Sequence, residues 1–115
     1  MVIKKENVHI DYQNVRDGIG EIEFRRIIRT PEELMGKGRL FSHMVIQPGQ
    51  SVGYHKHEGD AEWYYIIRGT GEYNDNGVIV KFAPGDVLTC PEGNSHGLVN
   101  TGSETVELIA LVLYK

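Results

Sequence analysis

Glycine and proline punctuate this sequence at short intervals from residue 18 to residue 102, which leaves little room for long helices there. The 115 residues include 14 glycines and 4 prolines, and both residue types disfavour the interior of a helix. The segments between them are apolar or alternate between apolar and polar residues, which is typical of β-strands. Strands are predicted at residues 21–28, 39–46, 63–67, 78–82, 86–90, 96–100 and 105–113. We therefore expect an all-β protein, folded as a sandwich or a barrel.

Local turn and helix signals agree with this fold class. The pair Asn76-Gly77 lies between two predicted strands and favours a tight hairpin turn, because both residues accept positive φ angles. Only residues 30–33 (TPEE) have a helical pattern, with a cap residue, a first-turn proline and a glutamate three positions after the cap. Gly36 and Gly38 end this segment after about one turn. The composition does not change along the chain, so residues 1–115 are predicted to form a single domain.

Charge and composition argue against two classes of partner. The net charge is −4 and no run of lysine and arginine is longer than a pair, so the sequence does not predict nucleic-acid binding. The longest apolar run, residues 108–113, is too short to span a membrane, and the N-terminus lacks the apolar core of a signal peptide. The one cysteine, Cys90, cannot form an internal disulfide and lies in an apolar segment. We expect it to be reduced and buried, in a cytoplasmic protein.

Two histidines stand one residue apart in the segment GYHKHEGDAEWYY. On a strand His55 and His57 share a face, because successive side chains point to opposite sides. If the chain turns back at residues 58–60, Glu62 returns to that face on the neighbouring strand, within about 5 Å. His96, which follows a turn, is a fourth candidate. An isolated His-x-His pair is more often half-exposed and free of metal, but three imidazoles and a carboxylate suit a divalent ion.

Two longer stretches resemble the motifs of the cupin superfamily. The first, GQSVGYHKHEGDAEWYYIIRG, runs from Gly49 to Gly69 and fits the pattern G-x5-H-x-H-x4-E-x6-G. The second, GDVLTCPEGNSHGLVN, runs from Gly85 to Asn100 and fits the pattern G-x5-P-x-G-x2-H-x3-N. All fixed positions match without a gap, and the short segment between the motifs resembles the small, single-domain microbial cupins.

The resemblance implies a fold and a metal site. The fold is a cupin-type double-stranded β-helix, a jelly-roll barrel of two antiparallel sheets. The metal is one divalent ion per chain, held by the residues that match the motif ligands: His55, His57, Glu62 and His96. Four protein ligands leave two positions open on an octahedral ion, a geometry that manganese, iron, nickel and cobalt accept more readily than zinc.

Other side chains are assigned to the barrel interior or to its outer face. Tyr64 and Ile66 share the inward face with Glu62 on an unbroken strand, so they are candidate pocket-lining residues, as is His43 in the strand 39–46. The bulky residues between them, including Trp63 and Tyr65, then face outward. Because such an apolar outer patch usually meets a partner surface, we expect a homodimer.

The function is expected to involve a small molecule, for which the sequence leaves three classes open. The first is a metalloenzyme that acts on a small oxygen-rich organic molecule, as a dioxygenase, an isomerase or a decarboxylase does. The second is a non-catalytic sensor or binding module, in which the metal anchors a sugar or an organic acid. The third is a purely structural metal site. A general acid or base beside the open metal positions would separate the first two classes, and the sequence assigns none.

Overall fold

The computed structural model describes all 115 residues and contains ten strands, joined by short loops. The strands are β1 (Ile10–Gln13), β2 (Ile22–Arg26), β3 (Gly38–Ile46), β4 (Ser51–Lys56), β5 (Asp60–Arg68), β6 (Gly71–Asp75), β7 (Val78–Phe82), β8 (Val87–Cys90), β9 (Ser95–Val99) and β10 (Val106–Tyr114). Two short 3-10 helices span Lys5–Asn7 and Pro31–Leu34. Neither approaches the length or the apolarity needed to cross a membrane. The prediction of an all-β fold is confirmed.

The strands form two antiparallel sheets that enclose a common interior. The larger sheet has the order β1-β2-β3-β10-β5-β8, and the smaller sheet has the order β4-β9-β6-β7. Consecutive strands often lie in different sheets, as β3 and β4 do, so the chain repeatedly crosses from one sheet to the other. This arrangement is the predicted jelly-roll barrel.

The core lies between the sheets and follows the alternation of each strand. On β10 the residues Val106, Leu108, Ala110 and Val112 are buried, while those between them are partly exposed. Inward residues of the other strands complete the cluster: Ile22, Phe24, Met44, Ile46, Val52, Tyr64, Ile66, Tyr73, Phe82, Leu88 and Leu98. Burying one large apolar side chain stabilises the fold by about 1.5–3 kcal/mol. The buried apolar side chains therefore stabilise the two sheets, which in turn position the polar side chains described below.

All seven predicted strands are present, and the hairpin and the helical turn are as expected. Asn76 and Gly77 both have positive φ, and they connect β6 to β7. Thr30 and Glu33 form the predicted capping box at the start of the second 3-10 helix. Three strands lie outside the predicted ranges: β1, which has only four residues, β4, which was considered only as a strand that carries the two histidines, and β6, which begins at a glycine and carries polar residues. β1 and β6 are held mainly by their pairing with neighbouring strands, which a local pattern does not report.

Two irregularities in the pairing with β10 redirect side chains. Leu40 and Gly38 pair with consecutive residues of β10, so Arg39 between them has no partner. Similarly, Ile66 and Arg68 pair with consecutive residues, which leaves Ile67 unpaired. An extra residue of this kind is a β-bulge, which bends a strand and changes the direction of its side chains. Consequently Arg68 does not share the inward face with Glu62; it is exposed and contacts Glu107.

Candidate metal centre and its arginine-lined cavity

Four polar side chains from both sheets meet at one end of the barrel. His55 on β4 pairs directly with His96 on β9, so these two imidazoles leave the smaller sheet side by side. Glu62 on β5 faces them from the larger sheet, where it pairs with Cys90 and Val112. The expectation that Glu62 returns on the strand beside the histidines is therefore wrong. The chain crosses between the sheets after β4, so the carboxylate approaches from across the barrel.

His57 lies just beyond the end of β4, and the loop between β8 and β9 fixes its backbone. Its amide donates a hydrogen bond to the carbonyl of Asn94 at 2.9 Å, and its carbonyl accepts one from the amide of Gly93 at 2.7 Å. Gly93 has a φ of +93°, a conformation that glycine adopts without strain. The loop of the second motif therefore positions a histidine of the first motif.

The four side chains bring their potential ligand atoms within 4.8 Å of one another. His57 Nε2 lies 3.2 Å from His55 Nε2 and 3.0 Å from His96 Nε2. Glu62 Oε1 lies 3.2 Å from Nε2 of His57 and 3.0 Å from Nε2 of His96. Two ligands that bind one ion at about 2.1 Å and at right angles stand about 3.0 Å apart. The measured separations match that spacing.

Each imidazole has its second nitrogen occupied by an acceptor outside the cluster. His55 Nδ1 lies 2.6 Å from the carbonyl of Gly53, and His57 Nδ1 lies 2.6 Å from the carboxylate of Asp60. His96 Nδ1 lies 2.9 Å from the hydroxyl of Tyr73, which itself donates to the carbonyl of Thr89. Each Nδ1 therefore carries the proton, so every Nε2 directs a lone pair at the centre. Such outer partners are typical of metal-binding histidines.

The ionisation of the cluster also suits a cation. Burial alone would raise the pKa of the Glu62 carboxyl, but contacts with His57 and His96 outweigh it and lower that pKa to about 2. Glu62, with help from Asp60, raises the pKa of His57. Burial lowers the pKa of His55 despite its hydrogen bond to Gly53, and the neighbouring imidazoles and, least of all, Arg16 lower that pKa further. Glu62 is thus ionised at neutral pH, among imidazoles that bind either a proton or a metal ion.

The donor set fits a divalent metal ion. Three imidazole nitrogens and one carboxylate oxygen face one another, with four of their separations at 3.0–3.2 Å and all of them within 4.8 Å. Three of the four side chains are buried, and His55 is half-buried. Buried acceptors that face one another are costly unless a cation lies among them. His55, His57, Glu62 and His96 can therefore hold a metal ion, whose identity the arrangement does not define.

A cavity of about 320 Å³ opens beside this centre. His55, Glu62 and Tyr64 form its floor, and three arginines contribute to its walls: Arg16 from the loop after β1, Arg26 from β2 and Arg39 from the bulge of β3. The remaining lining is apolar or carries amides: Gln13, Asn14, Val15, Phe24, Leu40 and Met44. Apart from Glu62, no carboxylate lines the cavity. Its chemistry therefore favours an anionic ligand.

The three arginines differ in what they contact. Two hydrogen bonds of 2.8 Å join Arg26 to the carboxylate of Asp11, and the guanidinium also lies over the ring of Phe24. Arg39 Nε donates to Asp60 at 2.9 Å. Arg16 is exposed and has no hydrogen-bond or ion-pair partner. Only the charge of Arg16 is therefore uncompensated by the protein.

The predicted pocket-lining residues lie in three different environments. Tyr64 lines the cavity, where its ring stacks on that of His96 at a centroid distance of 5.4 Å. Ile66 faces inward but is fully buried in the apolar core, so it does not line the cavity. His43 lies on the outer face of the larger sheet, with its Nε2 2.8 Å from Glu107. His43 was a candidate for the pocket lining, but it does not line this cavity, because its neighbours Ser42 and Met44 occupy the inward face.

No motif or spacing in the sequence predicted the three cavity arginines. They come from a loop, a strand end and a bulge, so no common spacing connects them. One weak signal was present: residues 15–18 (V-R-D-G) end in a glycine that indicates a tight turn, although the centre of the segment lacks the asparagine that such turns favour. The sequence therefore predicted the four side chains of the candidate metal centre but not the arginines that line the cavity beside it.

Comparison with known proteins identifies the family. The cupin domain family matches residues 42–113, which include the whole of both motifs and all four cluster residues. The chain belongs to the cupin family. The jelly-roll fold expected from the motifs is thereby confirmed as the cupin fold.

Both a similar sequence and a similar crystal structure come from Thermotoga maritima. An oxalate-binding protein from that organism is 40% identical to this cupin over 114 residues, covering 98% of this chain and 93% of the relative. The crystal structure of a predicted oxalate decarboxylase from Thermotoga maritima matches with a TM-score of 0.92 at 39% identity, and the match covers 100% of both chains. The likeness therefore extends over the whole length of this cupin, N-terminal segment included.

A third relative is more distant and larger. The 5-nitrosalicylic acid 1,2-dioxygenase of a Bradyrhizobium species is 32% identical over 90 residues, which cover 78% of this chain but only 40% of that enzyme. This cupin thus corresponds to less than half of the dioxygenase.

Proposed function

We propose that this cupin binds one divalent metal ion and, with the help of the cavity arginines, a small dicarboxylate anion of which oxalate is the simplest example. The ion would be held by His55, His57, Glu62 and His96. When bound, it supplies positive charge and coordination positions for carboxylate oxygens. The observation that carries the proposal is the cavity of about 320 Å³, which joins this centre to three guanidinium groups and contains no free carboxylate.

With a divalent ion bound, the net positive charge of the site would balance the charge of a dianion. Asp11 compensates Arg26 and Asp60 compensates Arg39, whereas Arg16 has no acidic partner. A divalent ion with the single charge of Glu62 leaves one positive charge, and Arg16 adds a second. A dicarboxylate neutralises both, while a sugar neutralises neither. Among the ligands of the binding-module class, the site therefore favours an organic acid over a sugar.

The name of the full-length relative supports the same ligand. The Thermotoga maritima protein that is 40% identical over nearly the whole chain is an oxalate-binding protein. Oxalate also fits the dimensions of the site, since it is far smaller than the cavity and chelates a metal through two oxygens. Manganese, iron, nickel or cobalt would accept four protein ligands together with such a chelate.

Catalysis is the second candidate, because the matched crystal structure is that of a predicted oxalate decarboxylase. Decarboxylation breaks the carbon–carbon bond, releases carbon dioxide and leaves a carbon that must take up a proton. The only acidic hydroxyl in the cavity lining belongs to Tyr64, and burial raises its pKa well above the ordinary value. Because the other titratable lining groups, His55 and Glu62, would be occupied as metal ligands, the cavity lining offers no free acid stronger than Tyr64, and we infer that binding without turnover is the better supported function.

We also propose that the protein pairs with a second copy of itself. Trp63 and Tyr65 on β5 lie outward, opposite Leu111 and Ile109 on β10. Trp63 is 38% exposed and Tyr65 is 51% exposed. Phe41 on β3 extends this row, since it pairs with Leu111 from the other side. A continuous apolar strip across three central strands is the kind of surface that a homodimer buries.

Calorimetric titration with oxalate tests the proposed function. The protein is stripped of metal, reloaded with manganese and titrated, and the metal-free protein serves as the control. We expect one oxalate per chain with the metal and no measurable binding without it. Incubation with oxalate in air, followed by assays for formate and carbon dioxide, separates binding from decarboxylation. Absence of oxalate binding to protein that carries one manganese per chain would refute the proposal.

A further inference from the structure

The turn between β1 and β2 places Arg16 in the lining of the cavity beside the proposed metal centre, in a left-handed backbone conformation. We propose that Arg16 is the residue that selects a dicarboxylate over a monocarboxylate, by binding the carboxylate oxygens that face away from the metal ion. This inference rests on the proposed function and goes beyond it, because it assigns the discrimination to one side chain. Arg16 lines the cavity together with His55 and Glu62, and it is the only one of the three cavity arginines without an acidic partner.

The conformation of the turn is unusual for its sequence. The amide of Gly18 donates to the carbonyl of Val15 at 3.0 Å, which closes a four-residue turn, and the two central residues are both left-handed, with φ of 52° for Arg16 and 60° for Asp17. Turns of this kind strongly prefer Asn-Gly at the centre. A left-handed conformation costs about 1–2 kcal/mol for a residue such as arginine. Strain of this kind is often found at functional sites.

The turn is packed tightly against the strand that carries His55. The amide of Gly53 donates to the carbonyl of Val15, and the amide of Ser51 donates to that of Ile19, both at 3.0 Å. A Cβ at Gly53 would stand 1.9 Å from the backbone oxygen of Arg16, so only glycine permits this approach. The side chain of Arg16 therefore starts from a backbone position that is fixed relative to the metal centre.

The two other arginines are less able to discriminate between ligands. Both hydrogen bonds of the Arg26 guanidinium go to Asp11, and Arg39 is bonded to Asp60. Arg16 has its whole guanidinium fork free, and this fork matches the two oxygens of a carboxylate. A ligand with an amide in place of the second carboxylate would present no charge and only one such oxygen.

The test compares oxalate with oxamate, in which a neutral amide replaces one carboxylate. Dissociation constants are measured by calorimetry on the manganese-loaded wild type and on Arg16→Asn, Arg16→Lys and the exposed control Arg29→Asn. Asparagine tolerates the left-handed region, so Arg16→Asn keeps the turn and its melting temperature should be equal or higher. We expect oxalate to bind wild type at least about tenfold more tightly than oxamate does. In Arg16→Asn this preference should fall to about twofold or less, with manganese content unchanged.

The remaining outcomes distinguish this inference from the proposed function. Arg16→Lys keeps the charge but loses the fork, so an intermediate preference supports the assignment, and Arg29→Asn should behave as wild type. If wild type binds both ligands and Arg16→Asn weakens both equally or neither, Arg16 does not select the ligand and the inference fails while the proposed function stands. If manganese-loaded wild type binds neither ligand, the proposed function itself fails, and this inference fails with it.

Discussion

Asp60 contacts His57 with one carboxylate oxygen and Arg39 with the other, at 2.6 Å from Nδ1 and 2.9 Å from Nε. One side chain therefore connects an arginine of the ligand cavity to an imidazole of the metal centre. Arg39 reaches Asp60 from the bulge of β3, where it has no partner on β10. The irregularity in the sheet thus contributes to the orientation of a histidine of the proposed metal centre.

Replacing Asp60 by asparagine should weaken metal binding without removing a ligand. The amide loses the negative charge that holds the proton on Nδ1 of His57, so Nε2 becomes a poorer donor. Removal of such an outer partner typically lowers metal affinity about 10- to 100-fold. Competition with a chelator measures this affinity, and Glu58→Gln, a change of an exposed carboxylate two residues before Asp60, is the control. Equal affinities for the two variants would contradict the role of Asp60.

Loss of a cluster histidine should remove the metal. His57→Ala and His96→Ala each delete one of four proposed ligands and leave a buried gap, so we expect less than about one tenth of wild-type manganese after dialysis. Elemental analysis gives the content per chain. Added manganese should raise the melting temperature of wild type but not of these variants, because only the folded wild type binds it.

His9→Ala is the control for these variants, since the side chain of His9 is half-exposed and lies outside the cluster. Wild-type metal content in both His57→Ala and His96→Ala would rule out the proposed centre.

The ion pair of Asp11 with Arg26 should make stability depend on pH in the acid range. The hydrogen bond from Arg26 lowers the pKa of Asp11, despite an opposing effect of burial. A lowered folded-state pKa stabilises the protein above the unfolded carboxyl pKa of about 4, and this contribution is lost as the pH falls through the folded value. Urea unfolding of wild type and Asp11→Asn should therefore differ at pH 6, and the difference should shrink below pH 4. A difference that stays constant from pH 6 to pH 3 would show that ionisation of Asp11 is not its cause.

A charge in the outer apolar strip should separate the proposed dimer. Trp63→Glu places a carboxylate at the centre of the strip, and burying an unpaired charge there is prohibitive. Light scattering should give one chain mass, 13.0 kDa, for this variant and twice that mass for wild type at micromolar concentration. Ile79→Glu, an exposed position on β7 of the smaller sheet, should leave the dimer intact. If Ile79→Glu separates the chains and Trp63→Glu does not, the interface lies on the other sheet.

The sequence by itself determined the fold class and the residues of the cluster. Glycine and proline limit every apolar run to strand length, and the spacing of His55, His57, Glu62 and His96 within two motifs is a local property of the chain. The outward direction of Trp63 and Tyr65 followed in the same way from alternation along a strand. Each of these inferences needs only residues that are neighbours in sequence or in a known motif.

The tertiary structure alone decided which sheet each ligand comes from, where His43 lies and what surrounds the cavity. Glu62 faces the histidines from the opposite sheet because the chain crosses over after β4. Arg16, Arg26 and Arg39 meet beside the centre although a loop, a strand end and a bulge supply them. Strand pairing sets these positions through hydrogen bonds between distant segments, and one unpaired residue is enough to turn a side chain to the other face. Local sequence patterns do not specify that register, so the residues that line the cavity could be identified only from the tertiary structure.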